Sequence, residues 1–390
     1  MAKTADIIIV GGGILGTSLA YHLCTRGAGR VLLLEKGPLA SGSTGKSAAI
    51  VRMHYTNRAT VNLALRSREL FLQWTDRVGG PDMYHQTGWY FLTGPDQAEH
   101  VRANLAMNQS LGVDAELVGT DDLERHGWGM NLDDLGLVVH EAKSGWADPV
   151  QTCTGLAAFA SQHGVEIQLN SPVSRLRSSG DRVTGVQVGT QSYEADQIVL
   201  AAGPWSGKLA STVGLELPLE IYREQEVMFQ PQHAAGAPDC PISNMCEQVY
   251  CRPKGDGRLL VGRGFPKQYE TVEPDDYAVE HDAGFVQDVR QRLTRRFPAV
   301  GNMSVTGGVV GLYTVTPDWH PIVGSVAAKP GLWLATGGSG HSFKIGPATG
   351  QMLADLMTNG SCDWVDAELF GLERFESGRT FGSTYGGNRA

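Results

Sequence analysis

Gly11, Gly13 and Gly16, spaced as G-x-G-x-x-G, with Glu35 about twenty residues further on, can together hold a pyrophosphate and a ribose. Each glycine has a steric reason. One allows a tight turn, one lets the backbone approach the pyrophosphate, and one lets the next helix pack closely. A carboxylate at Glu35 can accept a hydrogen bond from a ribose hydroxyl. LASGSTGKSAAIVR, residues 39–52, follows soon after. Its small and hydroxyl residues could line a narrow ligand channel, or they could form an ordinary polar loop.

These residues need rigid elements to position them. Ile7, Ile8, Ile9 and Val10 read as a strand buried on both faces, as in a parallel sheet. Thr17–Arg26 continues as a helix whose N-terminus offers N–H groups and a positive dipole end to phosphate. Val31–Leu34 is a second apolar strand ending on Glu35. Residues 59–76 read as a helix with Leu63, Ala64, Leu70, Phe71 and Trp74 on one face. The pattern changes near Gly88: a strand at 87–94, a polar helix near 96–111 and an acidic loop at 120–134 suggest an insertion that is not doubly wound. SGWADP (144–149) reads as a turn leading into a helix that runs to about His163. Short strands are expected at Val165–Leu169, Val173–Arg177, Arg182–Val188 and Ser192–Glu194. Gln197–Leu200 runs into small residues, as a cofactor's edge requires. Residues 221–316 alternate like strands at Glu226–Gln230, Gln248–Arg252 and Leu259–Gly262, with a helix at 282–297. Leu332–Ala335 is a further strand, and a helix is predicted from Gly346-Pro347 to about Met357, with proline in its first turn. The last twenty residues have little apolar content and suggest a loosely held tail.

Composition bounds the class. At 390 residues the chain has ample core for two or three domains, and 50 glycines suit an α/β enzyme rich in tight turns. A net charge of −9 without a long basic run argues against nucleic acid or an anionic membrane as partner. No apolar run approaches the ~18 residues that span a bilayer, and the N-terminus does not resemble a signal peptide. The six cysteines lie scattered, with no C-x-x-C pair, so no metal site and a reduced, cytoplasmic setting are expected.

Taken together, GGGILG (11–16) with Glu35-Lys36, SGSTGKSAAIVR (41–52), SGWADP (144–149), AAGPW (201–205), GLYTVTPDWHPIVG (311–324) and GGSGHSFKIGPATG (337–350) resemble the FAD-dependent D-amino acid oxidase and sarcosine oxidase family. Within it, the chain resembles the sarcosine oxidases, including the β subunit of the heterotetrameric type. The resemblance implies an α/β (α+β) fold: a glutathione-reductase-type FAD-binding Rossmann domain with a second, mostly antiparallel-sheet substrate domain. The FAD domain would come from residues 1–86, 145–218 and 318–375. The substrate domain would come from 87–144 and 219–317, leaving 376–390 as a flexible tail. Weak composition changes near 88, 145, 220 and 318 fall at the same places.

Carried onto this chain, the resemblance implies FAD contacts at Gly11, Gly13, Ile14, Leu15, Gly16, Glu35 and Lys36. The loop would add Ser43, Thr44, Lys46, Ser47, Ala48 and Ala49; the middle of the chain Val173, Ala202, Gly203 and Trp205; and the last motif Gly338, Gly340, His341, Phe343 and Lys344. Arg52 and Lys344 match the pair that holds the substrate carboxylate, a task suited to a guanidinium fork. Tyr313 and Tyr250 match aromatic positions over the flavin, although each could be a core tyrosine. The helix after Pro347 would aim its positive end at the flavin's pyrimidine edge. Two departures matter. Gly311 stands where monomeric sarcosine oxidases attach flavin through cysteine, and 41–50 contains no histidine, so FAD is expected to be non-covalent. Leu260 stands at the position of the family's oxygen-activating lysine.

The expected activity is oxidation of the C–N bond of a small secondary or N-methyl amino acid, with a hydride equivalent passing to flavin N5 and water hydrolysing the imine. The alternatives are an enzyme for primary amino acids, a dehydrogenase passing electrons to a partner instead of O2, and a non-catalytic flavoprotein subunit. A hetero- or homo-oligomer is possible.

Overall fold

The apolar runs build one six-stranded sheet in the structure, a computed structural model that describes residues 3–382. Across the sheet the strands are Glu166–Gln168, Val31–Leu34, Ile7–Val10, Gln197–Leu200, Leu332–Thr336 and Ile322–Ser325. All neighbours are parallel except the last pair. Ile7 and Ile9 pack into one core with the helices, while Ile8 and Val10 pack into another on the opposite face. That is why the run is apolar throughout and does not alternate. Each such side chain contributes about 1.5–3 kcal/mol when fully buried.

On the first face lie helices Ile14–Cys24 and Ser342–Asn359, in close contact. A Cβ at Gly346 would lie 2.6 Å from the Ile14 side chain, and one at Gly350 would lie 2.6 Å from Ser18. The other face carries a four-stranded sheet of Lys3–Thr4, Gln191–Glu194, Arg182–Val188 and Val173–Ser179. A nine-stranded, mostly antiparallel sheet is the second large layer. Its spine is the ribbon of Glu220–Pro231 and Met303–Val315, paired along their lengths.

Several expectations are corrected. The last long helix begins at Ser342, not at the Gly346-Pro347 step, and Pro347 lies inside it. Proline's fixed φ fits a helix, but it removes the N–H that would bond the Phe343 carbonyl. Side chains of other helices bond the backbone around it: His22 Nε2 meets the Pro347 carbonyl at 3.1 Å and the Ala348 N–H donates to Ser67 Oγ at 3.0 Å. Within SGWADP, Gly145–Ala147 is a strand that pairs with Ile50–Val51 and Tyr84–His85. The acidic stretch contains a short helix, Thr120–Glu124. The chain end is held as far as Phe381, where composition alone suggested a loose tail. The buried Arg374 donates to Asp318 at 2.8 and 2.9 Å, and the Phe381 ring stacks on His320 at 4.1 Å. Residues 383–390 of that stretch lie outside the described residues. Among the described residues no helix is long and apolar enough to cross a membrane.

Candidate active site

The glycine turn opens onto a cavity of about 350 Å³ that runs beneath the antiparallel sheet. Gly11 has φ +115°, and a Cβ there would sit 2.4 Å from the Ala201 carbonyl oxygen, so only glycine fits. Gly13 caps the helix Ile14–Cys24 without a side-chain acceptor, and the Ile14 N–H reaches Thr44 Oγ1 at 3.1 Å. Glu35 accepts from the N–H groups of Gly12 (2.6 Å) and Gly37 (2.9 Å), which aims its carboxylate. Each oxygen keeps a lone pair for a hydroxyl donor. Lys36 Nζ lies 3.0 Å from the centroid of the Trp205 ring.

Gly11, Gly13, Ile14, Leu15, Glu35 and Lys36 all line this cavity. So do Ser43, Thr44, Lys46 and Ser47 from the loop, and Val173, Ala202, Gly203 and Trp205 from the middle of the chain. Gly338, Gly340 and Phe343 close it from the last motif. Gly16 does not line it: a Cβ there would lie 1.9 Å from the Gly11 carbonyl, so its part is to let the helix meet the turn. This backbone cradle, which a Cβ would fill, together with an aimed acid and a helix N-terminus, fits a bound FAD.

A second cavity of about 180 Å³ adjoins the first, and Ser47, Glu226, Tyr313, Ser339, Gly340 and Phe343 line both. Arg52, Tyr250, Tyr313, His341 and Lys344 come together here from four separate parts of the fold, His341 and Lys344 sharing one helix start, with Ala48 and Ala49 beside them. Ala49 has φ +53°, a strained value for a residue with a Cβ, held by its N–H to Ser47 Oγ at 3.0 Å. Arg52 lies 4.8 Å over the Tyr55 ring and 5.7 Å over Trp89, and donates to the His54 carbonyl. Burial lowers the His54 pKa to about 3, which keeps the ring neutral. His341 Nδ1 meets the Tyr55 hydroxyl at 3.3 Å. A Cβ at Gly340 would come 2.6 Å from the Tyr313 ring, and one at Gly262 2.2 Å from Tyr250, so glycines make room for both tyrosines.

Gly311 faces Lys46, whose Cβ is 3.0 Å from where a side chain would begin. Leu260 lies outside both cavity linings and pairs across the sheet with Met228 and Arg252. Arg252 is a buried cation that reaches the Ala48 carbonyl at 2.6 Å.

Residue-by-residue reading missed the far wall: Trp89, Phe91, Ser243, Asn244, Met245 and Phe265. It also missed Glu226 as a wall of both cavities. The available signal was weak: two acids, Glu224 and Glu226, spaced to share one face of a strand that carries other charges.

A parallel sheet with its glycine turn under an antiparallel roof defines a dinucleotide-binding redox fold with a small-molecule cavity. The chain belongs to the FAD dependent oxidoreductase family (DAO), which matches residues 6–356, and it is an FAD-dependent oxidoreductase. It is 30% identical to monomeric sarcosine oxidase of Streptomyces avermitilis over 93% of this chain and 95% of that one. It is 26% identical to glycine oxidase of Pseudomonas putida, over 90% and 94% respectively. Among solved structures, L-proline dehydrogenase from P. horikoshii superposes with a TM-score of 0.89 at 24% identity, covering 98% of this chain and all of that one.

Proposed function

We propose that this chain oxidises the C–N bond of a small amino acid whose nitrogen is secondary or N-methylated. The observation that carries the reading is the pair Arg52 and Lys344 on the wall of a small aromatic cavity that opens into the FAD cradle. Two cations hold a carboxylate, the guanidinium bidentately and the ammonium as a point charge. Trp89 and Phe91 line that cavity beside His54, and the Tyr55 ring packs under Arg52, so the cations stand against an aromatic wall. FAD, when bound, supplies a two-electron acceptor. Similarity to sarcosine oxidases and glycine oxidase supports an amino acid with little or no side chain.

A second reading, transfer of electrons to an acceptor other than oxygen, is favoured by Leu260 in place of a lysine. Non-covalent FAD is supported by Gly311, which offers no nucleophile beside the cradle. The test is to mix small amines anaerobically with the FAD-loaded protein and follow loss of its visible absorbance. Bleaching by N-methylglycine or another secondary amino acid is expected, and acid precipitation should leave all the colour in the supernatant. Bleaching by no amine would overturn the reading.

A further inference from the structure

On the strand Glu220–Pro231, Glu224 and Glu226 stand two residues apart and face the same side. Both line the FAD cavity, but only Glu226 also lines the substrate cavity. Glu224 is paired with Lys267. Among the described residues no ion pair reaches Glu226. Its Oε1 accepts from the Tyr250 hydroxyl at 2.7 Å and from the Ala48 N–H at 3.2 Å. Its Oε2 is buried and has no hydrogen-bond partner among the described residues. A buried acceptor left open at the junction of two cavities points at a ligand.

An amino acid arrives with its nitrogen protonated at neutral pH. An ammonium has no lone pair with which to form C=N, so a proton must leave before or as the hydride leaves. We propose that Tyr250 and Glu226 form the proton-accepting pair for the substrate nitrogen, a step that rests on the second cavity taking an amino acid. The ammonium gives its proton to the Tyr250 oxygen while Tyr250 passes its own to Glu226 Oε1. Tyrosine ends as it began, Glu226 ends neutral, and nitrogen regains its lone pair. The C–H bond then breaks with its electron pair leaving as hydride for FAD, and the nitrogen lone pair closes the C=N bond.

The surroundings suit this exchange. Burial dominates and pushes the Glu226 carboxyl up to about 7; the Tyr250 hydrogen bond, the Arg252 guanidinium and the Ala48 N–H hold it down, and Glu224 pushes it further up. Burial also raises Tyr250 well above the phenol range, and the acids Glu226 and Glu224 nearby push the same way, so it relays a proton without ionising. His281 meets Glu226 at its backbone carbonyl, at 3.0 Å, and stacks on the Phe285 ring.

The experiment measures anaerobic bleaching by N-methylglycine, or by the best amine of the screen, between pH 6 and 9 for the FAD-loaded wild type, Glu226→Gln, Tyr250→Phe and Glu226→Asp. The wild-type rate should level off above about pH 7. Glu226→Gln and Tyr250→Phe should lose about a hundredfold at pH 7. They should regain about tenfold per pH unit, because only the free amine then reacts. Glu226→Asp should keep the wild-type shape. Infrared spectra of the FAD-loaded protein, without any amine, should show a protonated carboxyl band that vanishes near pH 7 and is missing from Glu226→Gln. An unchanged pH profile in both variants, FAD loss as the sole effect, or no such band would overturn the relay alone. A titrating band with no amine bleaching the wild type would overturn the functional reading, and the relay with it.

Discussion

A carboxylate held by Arg52 and Lys344 gains charge-assisted hydrogen bonds worth roughly 1.5–3 kcal/mol each. Arg52→Met should therefore weaken carboxylate binding by about one to two orders of magnitude, at about 1.4 kcal/mol per tenfold. Lys344→Met should act in the same direction. Both variants should keep their FAD, since neither side chain lines the larger cavity. Titration of the flavin spectrum with a carboxylate inhibitor reads both numbers, and wild-type affinity in both variants would refute the assignment. Leu260 concerns oxygen. Oxygen takes its first electron as superoxide, so a fixed positive charge nearby speeds the step. Leucine supplies none, and the cation next to it in register, Arg252, is turned onto the Ala48 carbonyl. Reduced protein mixed with aerated buffer should reoxidise slowly, and Leu260→Lys should speed it. Fast reoxidation by the unaltered chain would mean that Arg252 or another cation already does the work.

At the scale of elements, the glycines matter as contacts between strand, turn and helix. Gly16 was expected among the FAD contacts, yet its neighbour is the Gly11 carbonyl, 1.9 Å from a would-be Cβ. Gly16→Ala must push the helix off the glycine turn at the larger cavity. Such overpacking costs typically about 1–3 kcal/mol. The purified variant should show a lower melting temperature and a lower ratio of FAD to protein, both measurable by absorbance. The helix Ser342–Asn359 shows the limit of local rules. Proline usually stands in a first turn, but here His341 caps the helix a turn and a half earlier, and the first-turn residues Phe343 and Lys344 line the second cavity.

For the whole molecule, burial of histidines couples stability to pH. Burial lowers His22 and His54 to about 3 and His320 to about 4. The unfolded chain protonates these rings below about pH 6.5 while the folded chain does not, so stability rises with pH across roughly 4 to 6.5 and then levels off. At pH 5 each such histidine costs up to about 2 kcal/mol. Glu226 works the other way: raised to about 7, it favours the folded state below the ordinary carboxyl range and loses that contribution as pH rises through 7. Burial raises the Glu141 carboxyl in the same direction and lowers His140 like the other rings, and the histidines outweigh the two glutamates. The thermal midpoint followed by circular dichroism should therefore fall from pH 7 to pH 5; a midpoint that rose would contradict the burial of these rings as neutral groups.

The strands beneath the cofactor were legible because their apolar runs, glycine spacing and acid at Glu35 are local consequences of a buried parallel sheet. That Arg52, Lys344 and His341 meet at one cavity was legible through motifs, since each sits in a short run whose residues constrain one another. The long ribbon of Glu220–Pro231 and Met303–Val315 was not, because its pairing partners lie some eighty residues apart and its strands carry glycines and charges. The far wall of the second cavity comes from three stretches with no shared spacing. Glu226 is the sharpest case. Its sequence neighbours make it an ordinary strand position; only the strand register that sets it opposite Gly262, with Tyr250 over that glycine, turns a surface acid into a buried one between two cavities.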